Sequence, residues 1–307
     1  MIYTLTLNPS VDYFIKLDRL IPGALNRTSD SEMRPGGKGI NVSRVLKRLG
    51  VESRALGFLG GFTGEYIRTE LLSEGIAVDF TEIEGNTRIN IKLTAEEETE
   101  INGTMPPVSE KEMEKLFSSL DQLKEGDMLV LAGSVPSPLP MDIYKQINSR
   151  LRSSGVKIVV DTSGKALKEA VETAPFFIKP NQHELGRFFD VKIKTSEEAL
   201  QYGKLLLDYG IRHIVISLGG EGALYLNNQL VVKASVPKGE VRNAVGSGDS
   251  LVAGFLAGLI SGKNELEAFR QGVACGTATA FSEGLCERDT VDAILPEIIC
   301  DVLEGEV

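Results

Sequence analysis

The chain has 307 residues, 42% hydrophobic and 25% charged, with 32 glycines. That length suits two small domains or one α/β unit with an insertion, and the composition excludes a disordered or fibrous chain. Its 33 Lys and Arg against 43 Asp and Glu leave a net charge of −10, so it has no general basic surface to neutralise nucleic-acid phosphates. The longest apolar or glycine run, 251–260, is about half of what a membrane-spanning helix needs.

The opening MIYTLTLNPSVD has no basic segment ahead of its apolar stretch and reads as a strand, not a secretory signal. Cys275, Cys286 and Cys300 form no CxxC pair, and with only His183 and His213 beside them they give no zinc pattern. These features predict a cytoplasmic protein with reduced thiols that binds neither nucleic acid nor membrane.

Apolar runs of strand length lie at 2–7, 54–59, 127–131, 156–160, 176–179 and 212–217. They are continuous enough to be covered on both faces, as in a parallel sheet. Between them fall helix candidates at about 39–49, 63–74, 109–121, 141–153, 181–189 and 195–209. On the first, Ile40, Val45, Leu46 and Leu49 form one apolar stripe that Gly50 terminates. The alternation predicts an α/β fold with a central, mostly parallel sheet. Residues 11–18 and 87–94, the latter continuing through an acidic run to about 104, instead alternate apolar and polar. They predict a small β lid inserted at about 11–33 and 86–104, or else a pair of ordinary edge strands. No Pro/Ser-rich linker divides the chain, so 1–307 is expected to be one unit. Beyond Gly246 the pattern is helical, at about 248–261, 265–282 and 289–304.

In open parallel sheets ligands bind at the carboxyl ends of the strands, so the residues just after each strand are informative. Asn243–Asp249, NAVGSGD, places a Gly-Ser-Gly turn directly before an apolar helix. Its free N–H groups form an anion site, and Asp249 in the first turn is positioned to take a proton from an attacking hydroxyl. The same acid would also serve simply to cap the helix electrostatically. After 176–179, Asn181 and Glu184 are three apart and face the same way on a first helical turn, a donor pair suited to hydrated magnesium or to a helix start. After 212–217 comes SLGGEGA, whose glycines allow phosphates close to the backbone. Pro35–Asn41, PGGKGIN, offers glycines, a cation in Lys38 and an amide in Asn41. Asp12 suits sugar hydroxyls, and Arg88 in the lid has the fork a phosphate needs. No GxxxxGK[ST], GxGxxG or GxSxG occurs, which counts against Walker-type ATPases, dinucleotide dehydrogenases and α/β-hydrolases.

GGKGINVSRVLKRLG (36–50) and NAVGSGDSLVAGF (243–255), with KPNQHEL (179–185) and SLGGEGA (217–223) in this order, resemble the phosphofructokinase-B branch of the ribokinase-like sugar kinases over essentially the full chain. Ala244 stands where that family usually has Pro, Ser, Thr or Val. The resemblance implies a three-layer αβα fold and MgATP-dependent phosphorylation of a ketohexose phosphate. Within the family, IYTLTLNPSVDY and TRINIKLT lean toward members acting on fructose 1-phosphate, with tagatose 6-phosphate or fructose 6-phosphate as alternatives. It further implies Asp249 as base and Gly246, Ser247 and Gly248 as anion hole. Asn181 and Glu184 would organise magnesium, and Lys179, Ser217, Gly219, Gly220, Gly222 and Gly248 would lie along ATP. Asp12, Gly37, Lys38, Asn41, Arg88, Asn90 and Ser134 would face the sugar phosphate. A homodimer clasped through the lid is implied as well. A non-catalytic sugar-phosphate sensor on the same fold would keep the crevice without needing the acid.

Overall fold

The computed structural model describes residues 1–305. The chain begins with β1 (Ile2–Thr6), β2 (Ser10–Lys16) and β3 (Asp30–Gly36), then α1 (Lys38–Arg48), β4 (Ser53–Leu59), α2 (Gly61–Ser73) and β5 (Ala77–Glu82). Its middle forms β6 (Ile89–Thr94), β7 (Glu98–Asn102), α3 (Glu110–Leu120), β8 (Met128–Ala132), α4 (Ile143–Leu151), β9 (Lys157–Asp161), α5 (Gly164–Val171) and β10 (Phe177–Ile178). The last part holds α6 (Gln182–Phe189), α7 (Ser196–Leu207), β11 (His213–Ser217), β12 (Ala223–Leu226) and β13 (Val231–Ser235). It ends with α8 (Ser247–Ile260), α9 (Glu265–Ala280), α10 (Arg288–Ile294) and β14 (Ile299–Glu304).

Ten strands make the main sheet, in the order β14-β13-β12-β11-β10-β9-β8-β1-β4-β5. From β5 to β11 every pairing is parallel, and β12, β13 and β14 continue it antiparallel. Each of the six predicted parallel strands falls within a residue of its expected span, because a strand covered on both faces carries its own uninterrupted apolar run. One face packs Leu116, Ile147, Leu167 and Leu185 of α3 to α6, and the other packs Val45, Leu256 and Phe269 of α1, α8 and α9. The result is three layers. A second sheet, β3-β2-β6-β7, stands apart from the first. Its register aligns Met33, Tyr13, Ile91 and Ile101 in one row across all four strands. Neighbouring Asp12 and Asn90, also in register, point to the opposite face.

The predicted helix at 289–304 is corrected: α10 ends at Ile294, and 299–304 instead pairs with β13 as an edge strand. Pro296 breaks the helical ladder, and the β-branched residues that follow suit an extended edge. Helix α5 and strands β5, β12 and β13 lie outside the predicted elements. The last two are joined by a turn in which Asn227 Oδ1 accepts the N–H groups of Gln229 and Leu230.

Phe255 on α8 is fully buried, stacked 4.9 Å from Phe177 and packed against Tyr225 and His213. Phe255→Ala is expected to lower unfolding free energy by about 3–5 kcal/mol in a chemical denaturation experiment.

Candidate active site

At the carboxyl end of β1, Thr6 Oγ1 accepts the N–H of Ile40 at 3.1 Å. A Cβ on Gly39 would lie 2.5 Å from that same oxygen, so only glycine lets α1 start this close to the sheet. Lys38 opens α1 and extends across the strand ends to Asp161 at the end of β9.

Asp161 is wholly buried, and its Oδ1 lies 3.2 Å from both Lys38 Nζ and Lys179 Nζ. Its Oδ2 is buried without a partner. Burial disfavours this carboxylate, yet the two ammonium groups outweigh the desolvation and hold it below the usual carboxylate range. For Lys38 too, burial opposes the charge, but Asp161, Asp249 and Glu184 hold its pKa above the ordinary lysine value.

Gly246, at φ 82, turns the chain into α8, and a Cβ there would meet Leu285 at 2.6 Å. The N–H groups of Gly248 and Asp249 have no acceptor among the described residues, whereas Ser247 N–H reaches Ala244 O at 3.3 Å. The anion site is therefore narrower than the sequence suggests, and Ser247 Oγ is buried without a partner away from the cleft wall. Lys179 Nζ would lie only 3.0 Å from a Cβ on Gly248, so an ammonium backs the free amides. Asp249 is buried and accepts from Asn41 Nδ2 at 2.8 Å. Desolvation pushes its pKa up to about 6, despite the opposing pull of Lys38, and the Asp161 charge adds to the rise.

Lys38, Asn41, Lys179, Gly246, Gly248 and Asp249 line one cleft of about 490 Å³, with Asp161 buried behind the two lysines, and its other walls come from the second sheet and the ends of β8 and β11. Asp12 Oδ1 accepts from Ser10 Oγ at 2.7 Å and Asn90 Nδ2 at 3.0 Å, and Asn90 Oδ1 accepts the Gly103 N–H. Arg88, half-buried, donates to the carbonyls of Asn8 and Pro9 at 3.1 and 3.3 Å and has no carboxylate partner among the described residues. Gly37 and Ser134 lie in the wall, Ser134 Oγ accepting from Asn8 Nδ2 at 3.1 Å.

Lys179, Asn181, Glu184, Ser217 and Gly248 line the same cleft. Gly219 and Gly220 lie beyond it on an exposed turn with open space above them. Gly222 is buried where a Cβ would meet Ala234 O, so packing alone requires a glycine there. The expected first-turn pair is corrected in one respect: Asn181 is the N-cap of α6 rather than its first turn. Asn181 Oδ1 takes the Glu184 N–H at 2.8 Å and Glu184 Oε2 takes the Asn181 N–H at 2.9 Å, a reciprocal cap that leaves Glu184 Oε1 free.

Sequence reasoning missed Asp161, Thr6 and Asn8, although Asp161 directly follows the apolar run 156–160 and the strand-end rule points to it. Asp161→Asn, by leaving the buried Lys179 ammonium uncompensated and removing the partner of the partly exposed Lys38, is expected to cost about 3 kcal/mol in denaturant unfolding at neutral pH. The wild-type contribution is complete above the ordinary carboxylate pKa and is lost as pH falls through the lower folded-state value, so the two proteins should converge in acid.

The pfkB family carbohydrate kinase profile matches residues 5–291. Over 298 residues the chain is 51% identical to 1-phosphofructokinase of Bacillus subtilis (strain 168), covering 97% of this chain and 98% of that protein. It is 41% identical over 299 residues to D-tagatose-1-phosphate kinase of Bacillus licheniformis, with coverage of 97% and 98%. Phosphofructokinase-2 from Escherichia coli, crystallised with substrates and products, superposes with a TM-score of 0.92 at 29% identity over 96% of this chain and 98% of that one. With a glycine-opened helix bearing a buried acid at the strand ends of a three-layer sheet, the chain belongs to the pfkB family of carbohydrate kinases.

Proposed function

We propose that this enzyme transfers the γ-phosphoryl group of ATP to the C6 hydroxyl of fructose 1-phosphate, giving fructose 1,6-bisphosphate and ADP. The observation that carries the reading is Asp249, a buried acid with a pKa of about 6 beside unpaired amides and the Lys179 ammonium. Asp249 takes the hydroxyl proton as the oxygen attacks phosphorus. Gly248 and Asp249 N–H groups with Lys179 hold the developing charge on the migrating phosphoryl oxygens. Asn41 fixes the carboxylate, and an intact acid of this kind speaks against a sensor without turnover.

The sugar end lies between Asp12, Asn90 and Arg88. Asp12 accepts from sugar hydroxyls, and Arg88, neutralised by no carboxylate, pairs with the 1-phosphate. The D-tagatose-1-phosphate kinase relative keeps that epimer as the rival substrate. Ser217 and the open glycine turn beyond it suit the nucleotide. Glu184 Oε1 is an oxygen donor on the cleft wall that fits hydrated magnesium, with Asn181 fixing Glu184. The metal would supply charge neutralisation at the phosphates.

Across the second sheet, the row through Tyr13 and Ile91 carries Met33 and Ile101 half exposed, with exposed Ile89 on the same face. That apolar face suits the same sheet of a second copy, so the working form is a homodimer with 1–307 as one unit and the sheet as its lid. Soluble phosphorylated substrates and three free thiols fit a cytoplasmic setting.

An ADP-release assay over fructose 1-phosphate, tagatose 6-phosphate, fructose 6-phosphate and free fructose should give the highest kcat/KM for the first. Faster turnover of free fructose would overturn the sugar-phosphate assignment. Arg88→Ala should raise the KM for fructose 1-phosphate and leave that for ATP little changed. Asp249→Asn should lower kcat at least ~10³-fold. Its Tm should not fall, because the fold favours the protonated acid over the ionised one. Since the base acts ionised, kcat/KM should fall as pH drops below about 6. Asn41→Ala, by removing a donor to the carboxylate, should move that limb to higher pH.

A further inference from the structure

A second cavity, of about 170 Å³, opens at the amino ends of the strands, where Met128, Lys157 and His213 begin β8, β9 and β11. Lys157 and Asp161 are the two ends of β9, so the cavity lies about 13 Å along that strand from the catalytic cleft. Nothing in the phosphoryl transfer uses it.

Its chemistry is cationic. Lys157 Nζ and Arg212 Cζ lie 5.2 and 5.8 Å from the centroid of the Phe176 ring. Neither forms an ion pair among the described residues. Glu265 is the one carboxylate in the lining, so one positive charge remains over.

A neutral, hydrogen-bonded cluster adjoins them. Asn227 Oδ1 accepts two backbone N–H groups, which fixes the amide so that Nδ2 donates to Tyr225 Oη at 3.0 Å and to Glu265 Oε2. The Tyr225 hydroxyl also pairs with His213 Nδ1, 2.8 Å away, and with the Glu265 carboxylate. Burial pushes the His213 pKa down to about 4, so the ring is neutral at physiological pH. Nε2 has no acceptor among the described residues, yet it is not one of the sealed, unpartnered atoms of the core. With His213 in the cavity lining, Nε2 opens on the cavity.

We propose that this cavity binds a small phosphate-type oxyanion, free or as the phosphate group of a small metabolite, held by Lys157 and Arg212. A lysine point charge and an arginine fork suit a compact tetrahedral anion. The volume leaves room for a substituent of a few carbons. The site is independent of which sugar the catalytic cleft takes.

Crystals grown without phosphate and soaked in sodium selenate should show selenium anomalous density among Lys157, Arg212 and His213. In solution, calorimetric titration of inorganic phosphate and of glycerol 3-phosphate should reveal a binding class distinct from the catalytic cleft. The Lys157→Ala/Arg212→Ala double variant should weaken that class at least tenfold, while its turnover at saturating substrates stays at the wild-type value. Tighter binding of the ester would assign the metabolite form, and equal or tighter binding of inorganic phosphate the free ion. No selenium peak in the cavity, or a double variant that titrates like wild type with both ligands, would overturn the proposal.

Discussion

One carboxylate shared by two ammonium groups sets the geometry of the strand ends. Asp161 is at the end of β9 with no solvent contact, and alone its burial would cost several kcal/mol. Lys38 from the start of α1 and Lys179 from the end of β10 offset that cost, and in doing so both are drawn over the cleft floor. Lys179 is thereby held against Gly248, behind the free amides of α8. Two lysines and two aspartates form a neutral set, but the sharing is unequal. Asp161 takes both direct contacts, while Asp249 has only the Asn41 amide as a bonded partner. Desolvation therefore wins at Asp249 and loses at Asp161, and two aspartates in one cleft are driven in opposite directions.

The arginines around the second sheet divide in the same way. Arg34 forks onto Glu32, and Arg44 onto Glu74, so their charges are already satisfied. Arg88 instead rests on backbone carbonyls, which orient a guanidinium without neutralising it. A cation fixed in direction but not in charge is what a phosphate ester needs on arrival, and it stands on the same wall as Asp12 and Asn90.

What could be read from the sequence follows from where each signal is stored. The parallel strands were legible because burial on both faces writes an apolar run into each one. Ile299–Glu304 was not, since an edge strand has little burial to record and the helical pattern before it ran on past Pro296. The short β12 and β13 are specified largely by each other and by the Asn227 turn. In the cleft, glycine-rich turns are local and were readable. The strand-end position of Asp161 is local, but its pairing with Lys38, 123 positions away, is not. Asn181 and Glu184 were found as a pair, but their spacing fits a shared ligand and a reciprocal cap equally well, and only coordinates separate the two.

The hydrogen bond that steadies Asp249 joins residues 208 positions apart, and the strand beneath it, first in the chain, lies inside the sheet between β4 and β8. Contacts of such long range must wait for most of the polymer, so this topology belongs with the slow-folding architectures. On the ribosome, the N-terminal glycine turn emerges long before the segment bearing its acid. A nascent chain therefore holds only one side of the cleft, and the wall that closes it arrives only when synthesis has passed α8.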